Sequence, residues 1–242
     1  MSVETATGNW WNASLAEVGV QAMDRTLSAH AGWDEILRSG REELEAAMDV
    51  SGMQVDATRR VLDLGCGVGR VAAALADRCG EVVGVDISPS LIETAKSFHT
   101  QPNLRFEHTT GSPLQPDAHE IYDTVFANEV FYYLPLPMLA DYARDAFRLL
   151  HAGGEYVFQL NMDPIGWKTR LSWRLRTIMY TCGIKKWRGW SNSPGFTRYF
   201  HSVESIRAML ESAGFQLERV NTGLSRRQTW FVARKPHPVS EH

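Results

Sequence analysis

The chain has little cysteine: Cys66, Cys79 and Cys182 are an odd and scattered set. That argues against a disulfide framework and against the paired spacing of a structural zinc site, and it suits free thiols in a reducing cytosol. Long apolar runs are missing as well, since no stretch approaches the ~20 consecutive apolar residues of a spanning helix. The opening "MSVETATGNWWNASLAEVG" has no basic start followed by an apolar run, so no secretory signal is read there and the expected location is cytoplasmic. Neither sign of charge dominates. With 25 Lys and Arg against 28 Asp and Glu the formal net charge is -3, which counts against a globally basic chain that coats nucleic acid. Repeats and low-complexity blocks are absent.

A length of 242 residues, 44% of them hydrophobic, fits one large domain. From Val61 onward, strand-like and helix-like segments alternate, the pattern of a mostly parallel sheet with helices on its faces. Strands are expected in "RRVLDLG", "EVVGVDIS", "NLRFEHTT", "IYDTVFANEV" and "EYVFQLN". Helices are expected in "RVAAALADRCG", capped by Gly80, in "SPSLIETAKSF", with Ser88 as N-cap and Pro89 first in the helix, and in "PLPMLADYARDAFRLLHAGG", ended by Gly153 and Gly154. "SVESIRAMLESAG" reads as a further helix capped by Ser202. "FQLERVNTG" and "RQTWFVARK" follow too closely for a helical crossover and read as an antiparallel pair. Residues 1–58 form a helical N-terminal cap expected over the mouth of the sheet, with Trp10, Trp11 and Trp33 among polar residues, ahead of a domain spanning 59–238.

Gly65, Gly67 and Gly69 stand directly behind the first strand, in a turn where most side chains are expected to collide with a ligand. The dinucleotide fingerprint lacks its last glycine, at the position where Arg70 sits instead, and no GxxxxGK phosphate cradle is present. Asp86 ends the second strand, placed to accept both hydroxyls of a ribose. Asp63, just before the turn, favours a nearby ammonium or sulfonium over an anionic pyrophosphate. Cys66 reads as a small buried filler rather than a nucleophile.

"VLDLGCGVGR", "VVGVDIS", "IYDTVFANEVFYYLP", "RLLHAGGEYVFQL" and "TWFVARKP" together resemble the ordered motifs of class I S-adenosylmethionine-dependent methyltransferases, over roughly Arg60 to Lys235. The resemblance implies a Rossmann-like, seven-stranded, mostly parallel sheet with an antiparallel last strand, helices on both faces, and S-adenosylmethionine as cofactor. It places Asp63, Gly65, Gly67 and Gly69 at the methionine end, Asp86 at the ribose and Ile87 against adenine, with Cys66, Arg70 and Asn128 completing the cofactor set. Ser112 stands where many relatives carry an acid for the adenine amino group.

Methyl transfer from a sulfonium requires alignment of the acceptor and removal of its proton, and no metal. Glu129, Tyr133 and His201 are the expected catalytic residues, with His30 and Asp163 as other candidate bases and Phe131 and Tyr132 shaping the acceptor site. The expected acceptor is an oxygen or nitrogen of a small metabolite, anionic or aromatic. Rival readings keep the cofactor but change the chemistry, to cyclisation or decarboxylation, or bind it without turnover.

An insertion at about 161–200 holds Trp167, Trp173, Trp187 and Trp190, and Lys168, Arg170, Arg174, Arg176, Lys185, Lys186, Arg188 and Arg198 against the single acid Asp163. Leu171, Leu175, Ile178, Met179 and Cys182 share one side of a helix there. Three readings stay open: a lid helix whose apolar side faces the core, a lid that recognises an anionic acceptor, and an interfacial helix resting on a membrane at about 165–190. Nucleic acid is not an expected partner.

Overall fold

Strand β1 (Arg60–Leu64) leads into helix α2 (Arg70–Ala76) and β2 (Glu81–Asp86), then α3 (Pro89–Phe98) and β3 (Leu104–His108); helix α1 (Trp33–Ser51) precedes them. Strand β4 (Tyr122–Ala127), helix α4 (Leu136–Leu149) and β5 (Leu150–Leu160) follow. Helix α5 (Trp167–Thr181), a small antiparallel pair of Lys186–Trp187 with Trp190–Ser191, then α6 (Val203–Ser212), β6 (Gln216–Thr222) and β7 (Thr229–Arg234) follow. These elements come from a computed structural model that describes residues 31–115, 118–184, 186–187, 190–191, 198–223 and 228–238. Trp10, Trp11, His30, Lys185 and Arg188 lie outside the described residues.

The seven strands pair in the order β3-β2-β1-β4-β5-β7-β6, parallel from β3 to β5, with β7 antiparallel to both neighbours. This is the expected sheet. Alternate residues of each strand serve opposite faces. Val61, Val82, Phe126, Val157 and Val232 pack with residues of α1, α2 and α3, such as Leu44, Leu75 and Ile92. Leu62, Val83, Val125, Phe158 and Phe231 pack with residues of α4 and α6, such as Leu139, Ala143 and Leu210. Strands buried on both faces explain why these segments read as nearly unbroken apolar runs.

Ser88 caps α3 by accepting from the Leu91 amide at 3.3 Å, with Pro89 first in the helix. Ser202 and Ser205 form a reciprocal capping box at α6. Two helix ends differ from expectation. Helix α2 stops at Ala76, not Gly80, and α4 stops at Leu149, not Gly153. Both glycines instead answer close contacts: a Cβ on Gly80 would lie 2.6 Å from the Ala57 carbonyl oxygen, and Gly153, at φ 82°, packs on the His237 ring.

Helix α1 buries Ile36, Gly40, Leu44, Ala47 and Ser51 as one stripe. It lies across the start of α2 so tightly that a Cβ on Gly40 would sit 2.2 Å from the Arg70 carbonyl oxygen. Helix α5, by contrast, buries none of its residues, so the reading of an apolar side turned to the core is overturned. Trp167, Leu171, Leu175 and Ile178 face outward, whereas Met179 is half-buried.

Candidate functional site

The strand order reverses at β1, whose neighbours β2 and β4 lie on opposite sides, and a ligand crevice opens at the carboxyl ends of strands at such a switch point. Three segments border it: the turn after β1, the end of β2 and the segment after β4. In the turn, Gly65, Gly67 and Gly69 all take left-handed backbone, at φ 78°, 58° and 82°. A Cβ on Gly65 would lie 2.2 Å from a Val130 methyl, and one on Gly69 2.5 Å from the Phe106 ring. The collisions expected with a ligand are therefore, at these two positions, collisions with the chain itself.

Asp86 holds the turn in shape. Its Oδ2 accepts from the Gly67 amide at 3.0 Å and its Oδ1 from the Ser88 amide at 2.8 Å. A carboxylate offers about four lone-pair sites, so both oxygens keep capacity for hydroxyl donors. Burial pushes the Asp86 carboxyl above its ordinary value, and the backbone donors oppose that shift. Ile87 follows half-buried.

Asp63 is 3% exposed and its Oδ2 has no hydrogen-bond partner. Desolvation lifts its pKa to about 7; Arg70 pulls it down, and Asp86 and Glu43 push it up. Cys66 is buried, with its thiol pushed well above the ordinary value by the same desolvation, so it stays protonated and fills space against Gly84.

Glu43 of α1 is a member of this cluster that sequence reading missed. Its carboxylate pairs with Arg70 and accepts from the Asn128 side-chain amide. Arg70 follows the glycine turn and Asn128 follows β4, so one carboxylate ties two walls of the crevice to the N-terminal helix. Asn128 is 85 residues from Glu43 in sequence. No motif signals it; only the docking of α1 through Gly40 brings it there.

Beyond Asn128, Glu129 is exposed and takes left-handed backbone at φ 57°, an uncommon conformation for a residue with a side chain. Tyr133, in a 3-10 turn at Phe131–Tyr133, is buried. His201 arrives from just before α6, and its Nε2 lies 3.1 Å from the Leu134 carbonyl oxygen. A carbonyl only accepts, so Nε2 carries the proton and Nδ1 is left with a lone pair. Burial lowers the His201 pKa below its ordinary value, opposed by the Leu134 bond. His201 is thus tied to the residue after Tyr133, at the end of the segment that Glu129 opens. Asp163 lies in the stretch between β5 and α5, its amide donating to Asn161 at 3.0 Å.

Ser112 donates its hydroxyl to Asp145 on α4 at 2.6 Å, and the Leu114 amide donates to the same oxygen at 3.0 Å. Asp145, paired with Arg148, therefore pins the loop after β3. Among the described residues no group of three or more His, Cys, Asp and Glu is placed to hold a metal ion, and no helix is long and apolar enough to cross a membrane.

Residues 61–154 match the family described as a methyltransferase domain. Ubiquinone biosynthesis O-methyltransferase of Pseudomonas fluorescens (strain Pf0-1) is 26% identical over 147 residues, 56% of this chain and 60% of that relative. The chain thus spans about 60% of the length of the curated relative it matches. Magnesium-protoporphyrin O-methyltransferase of Rhodobacter capsulatus is 38% identical over 102 residues, 42% of this chain and 40% of the relative. In fold, the crystal structure of magnesium protoporphyrin IX methyltransferase from Synechocystis PCC 6803 with bound SAH aligns over 96% of this chain and 98% of its own, at a TM-score of 0.62 and 18% identity. Residues 61–154 thus resemble a methyltransferase domain, and the strand order around them is that of the fold shared with the Synechocystis structure.

Proposed function

We propose that this chain transfers the methyl group of S-adenosylmethionine to an oxygen or nitrogen of a small-molecule acceptor. Asp63 carries the reading. A buried carboxylate oxygen without a partner, beside Asp86 and Glu43, makes a pocket short of positive charge. S-adenosylmethionine brings two cations, its sulfonium and its ammonium, and one carboxylate that suits Arg70. Asp86 keeps lone pairs for two ribose hydroxyls, and the left-handed glycine turn lets backbone approach the ligand closely. The residues present fit the cofactor.

Bound there, the cofactor supplies a methyl group already activated for in-line displacement. The chain's own work is to align the acceptor, exclude water and take a proton. His201 suits proton removal, because burial holds its pKa below the ordinary value, the Leu134 carbonyl orients it and its lone pair stays on Nδ1. Tyr133 and Glu129 border the same segment and shape the acceptor's approach. Both curated relatives described above are O-methyltransferases by name, which favours oxygen as the acceptor atom.

The test is calorimetry with S-adenosylmethionine and S-adenosylhomocysteine, followed by an acceptor screen of phenols and carboxylic acids read as S-adenosylhomocysteine formed in step with methylated product. Micromolar binding of both and stoichiometric product support the reading. No binding by folded, ligand-free protein refutes the site, and binding with no turnover across the screen refutes the transferase.

A further inference from the structure

Helix α5 turns its apolar arc away from the protein. At ~100° per residue, Trp167, Leu171, Leu175, Ile178 and Cys182 fall within an arc of about 80°. All five are exposed, the four large ones by 70%, 49%, 52% and 58%. The opposite arc, with Trp173, Thr177 and Tyr180, is the less exposed one. An ordinary surface helix does the reverse. Among the described residues seven large apolar side chains are exposed, and five belong to α5 and its exit at Ile184. This is one concentrated patch, unlike the scattered apolar exposure of most surfaces.

Charge identifies what covers it. Arg170 and Arg174 flank one side of the arc and Lys168 the other, the Lys168 ammonium lying 5.7 Å from the Trp167 ring. Between Asp163 and Glu204 the sequence holds eight Lys and Arg and no acid, in a chain whose net charge is -3. A second copy would bring the same positive charges against these, an unfavourable juxtaposition. An anionic lipid surface complements both the apolar arc and its basic rim.

We propose that α5 docks this chain on an anionic membrane surface, with Trp167, Leu171, Leu175 and Ile178 in the acyl boundary and Lys168, Arg170 and Arg174 among the headgroup phosphates. The helix follows the carboxyl end of β5, the sheet edge that also carries the glycine turn, so docking turns that edge toward the lipid. The docking does not depend on the methyl-transfer reading.

Sedimentation of the full chain with vesicles tests it, using phosphatidylcholine and phosphatidylglycerol in equal parts against phosphatidylcholine alone. Binding is expected to the anionic vesicles only. It should weaken strongly between about 0.01 and about 1 M salt, where the Debye length falls from about 30 to about 3 Å. Arg170→Gln with Arg174→Gln should lower the partition coefficient roughly thirtyfold, and Leu171→Ser with Ile178→Ser should abolish binding. Because all four side chains are exposed, both variants should keep the parent's cofactor calorimetry, which separates failure of docking from failure of the site. Equal binding to neutral vesicles, no binding at low salt, or binding unchanged by the serine pair overturns the proposal. So does a concentration-dependent dimer, dissolved by the serine pair, in protein that ignores vesicles.

Discussion

The Gly67 amide donates to Asp86 Oδ2 across 3.0 Å, joining the glycine turn after β1 to the end of β2. The carboxylate proposed to receive a ligand's hydroxyls is thus also the group that holds the turn in shape. Asp86→Ala strands two buried amides, Gly67 and Ser88, at a cost of about 1 to 3 kcal/mol each. It would also remove the two charge-assisted bonds proposed to the ribose hydroxyls. The expected outcome is a lower melting temperature together with at least a hundredfold loss of S-adenosylmethionine affinity. Thermal unfolding and calorimetry on the same sample check it, and unchanged affinity in a folded variant rules out the ribose role.

Asp63 should make cofactor binding depend on pH. Its folded pKa, raised to about 7 by burial, lies above the ordinary carboxylate value, so the fold favours the neutral acid. That contribution to stability is complete below about pH 4 and is lost as pH rises through about 7. A bound cation reverses the preference, so binding below pH 7 must release a proton. Affinity for S-adenosylmethionine should therefore rise with pH up to about 7 and then level, and binding heats at pH 6 should vary with the buffer's ionisation enthalpy. Glu43→Gln removes a neighbouring negative charge and should move the break to lower pH. A flat profile between pH 5 and 8 contradicts the assignment.

Gly40 should be irreplaceable despite its place inside a helix. Alanine there gains about 1 kcal/mol of helix propensity. The added methyl, however, meets the Arg70 carbonyl oxygen, a backbone atom that cannot rotate aside. Gly40→Ala should lower stability by about 2 kcal/mol and the melting temperature by roughly 4 to 8 °C. Because the displaced group is Arg70, cofactor affinity should fall with it. A neutral or stabilising effect shows that α1 is not seated on α2 in this way.

His201→Gln should separate chemistry from binding. Its Nε2 bond to Leu134 is the kind a glutamine amide can reproduce, so the fold and the cofactor affinity should hold. Loss of the Nδ1 lone pair should cut kcat by about a hundredfold or more. In the parent chain kcat should rise with pH through a midpoint below the usual histidine value, because burial lowers the His201 pKa. Full activity in the glutamine variant assigns proton removal elsewhere.

Wherever the governing interactions are local, the sequence was a sufficient guide. Apolar runs set between helix-like segments placed all seven strands of the main sheet, and the short link before β7 made it antiparallel, because no crossover fits there. Ser88, Pro89 and Ser202 marked helix starts by chemistry confined to one turn. The spacing of Gly65, Gly67 and Gly69 ahead of Asp86 marked the turn that Asp86 ties to the end of β2. What lay beyond reach was set by contacts between distant residues. The hydroxyl of Ser112 is taken by Asp145, 33 positions away, and Glu43 joins Arg70 and Asn128 only because a missing side chain at Gly40 lets two helices touch. Helix α5 shows the division most sharply. Its apolar stripe can be read from periodicity, but whether that stripe faces the core or the outside depends on how the helix is attached to the sheet. Periodicity defines which residues share a face, and tertiary packing decides where that face points.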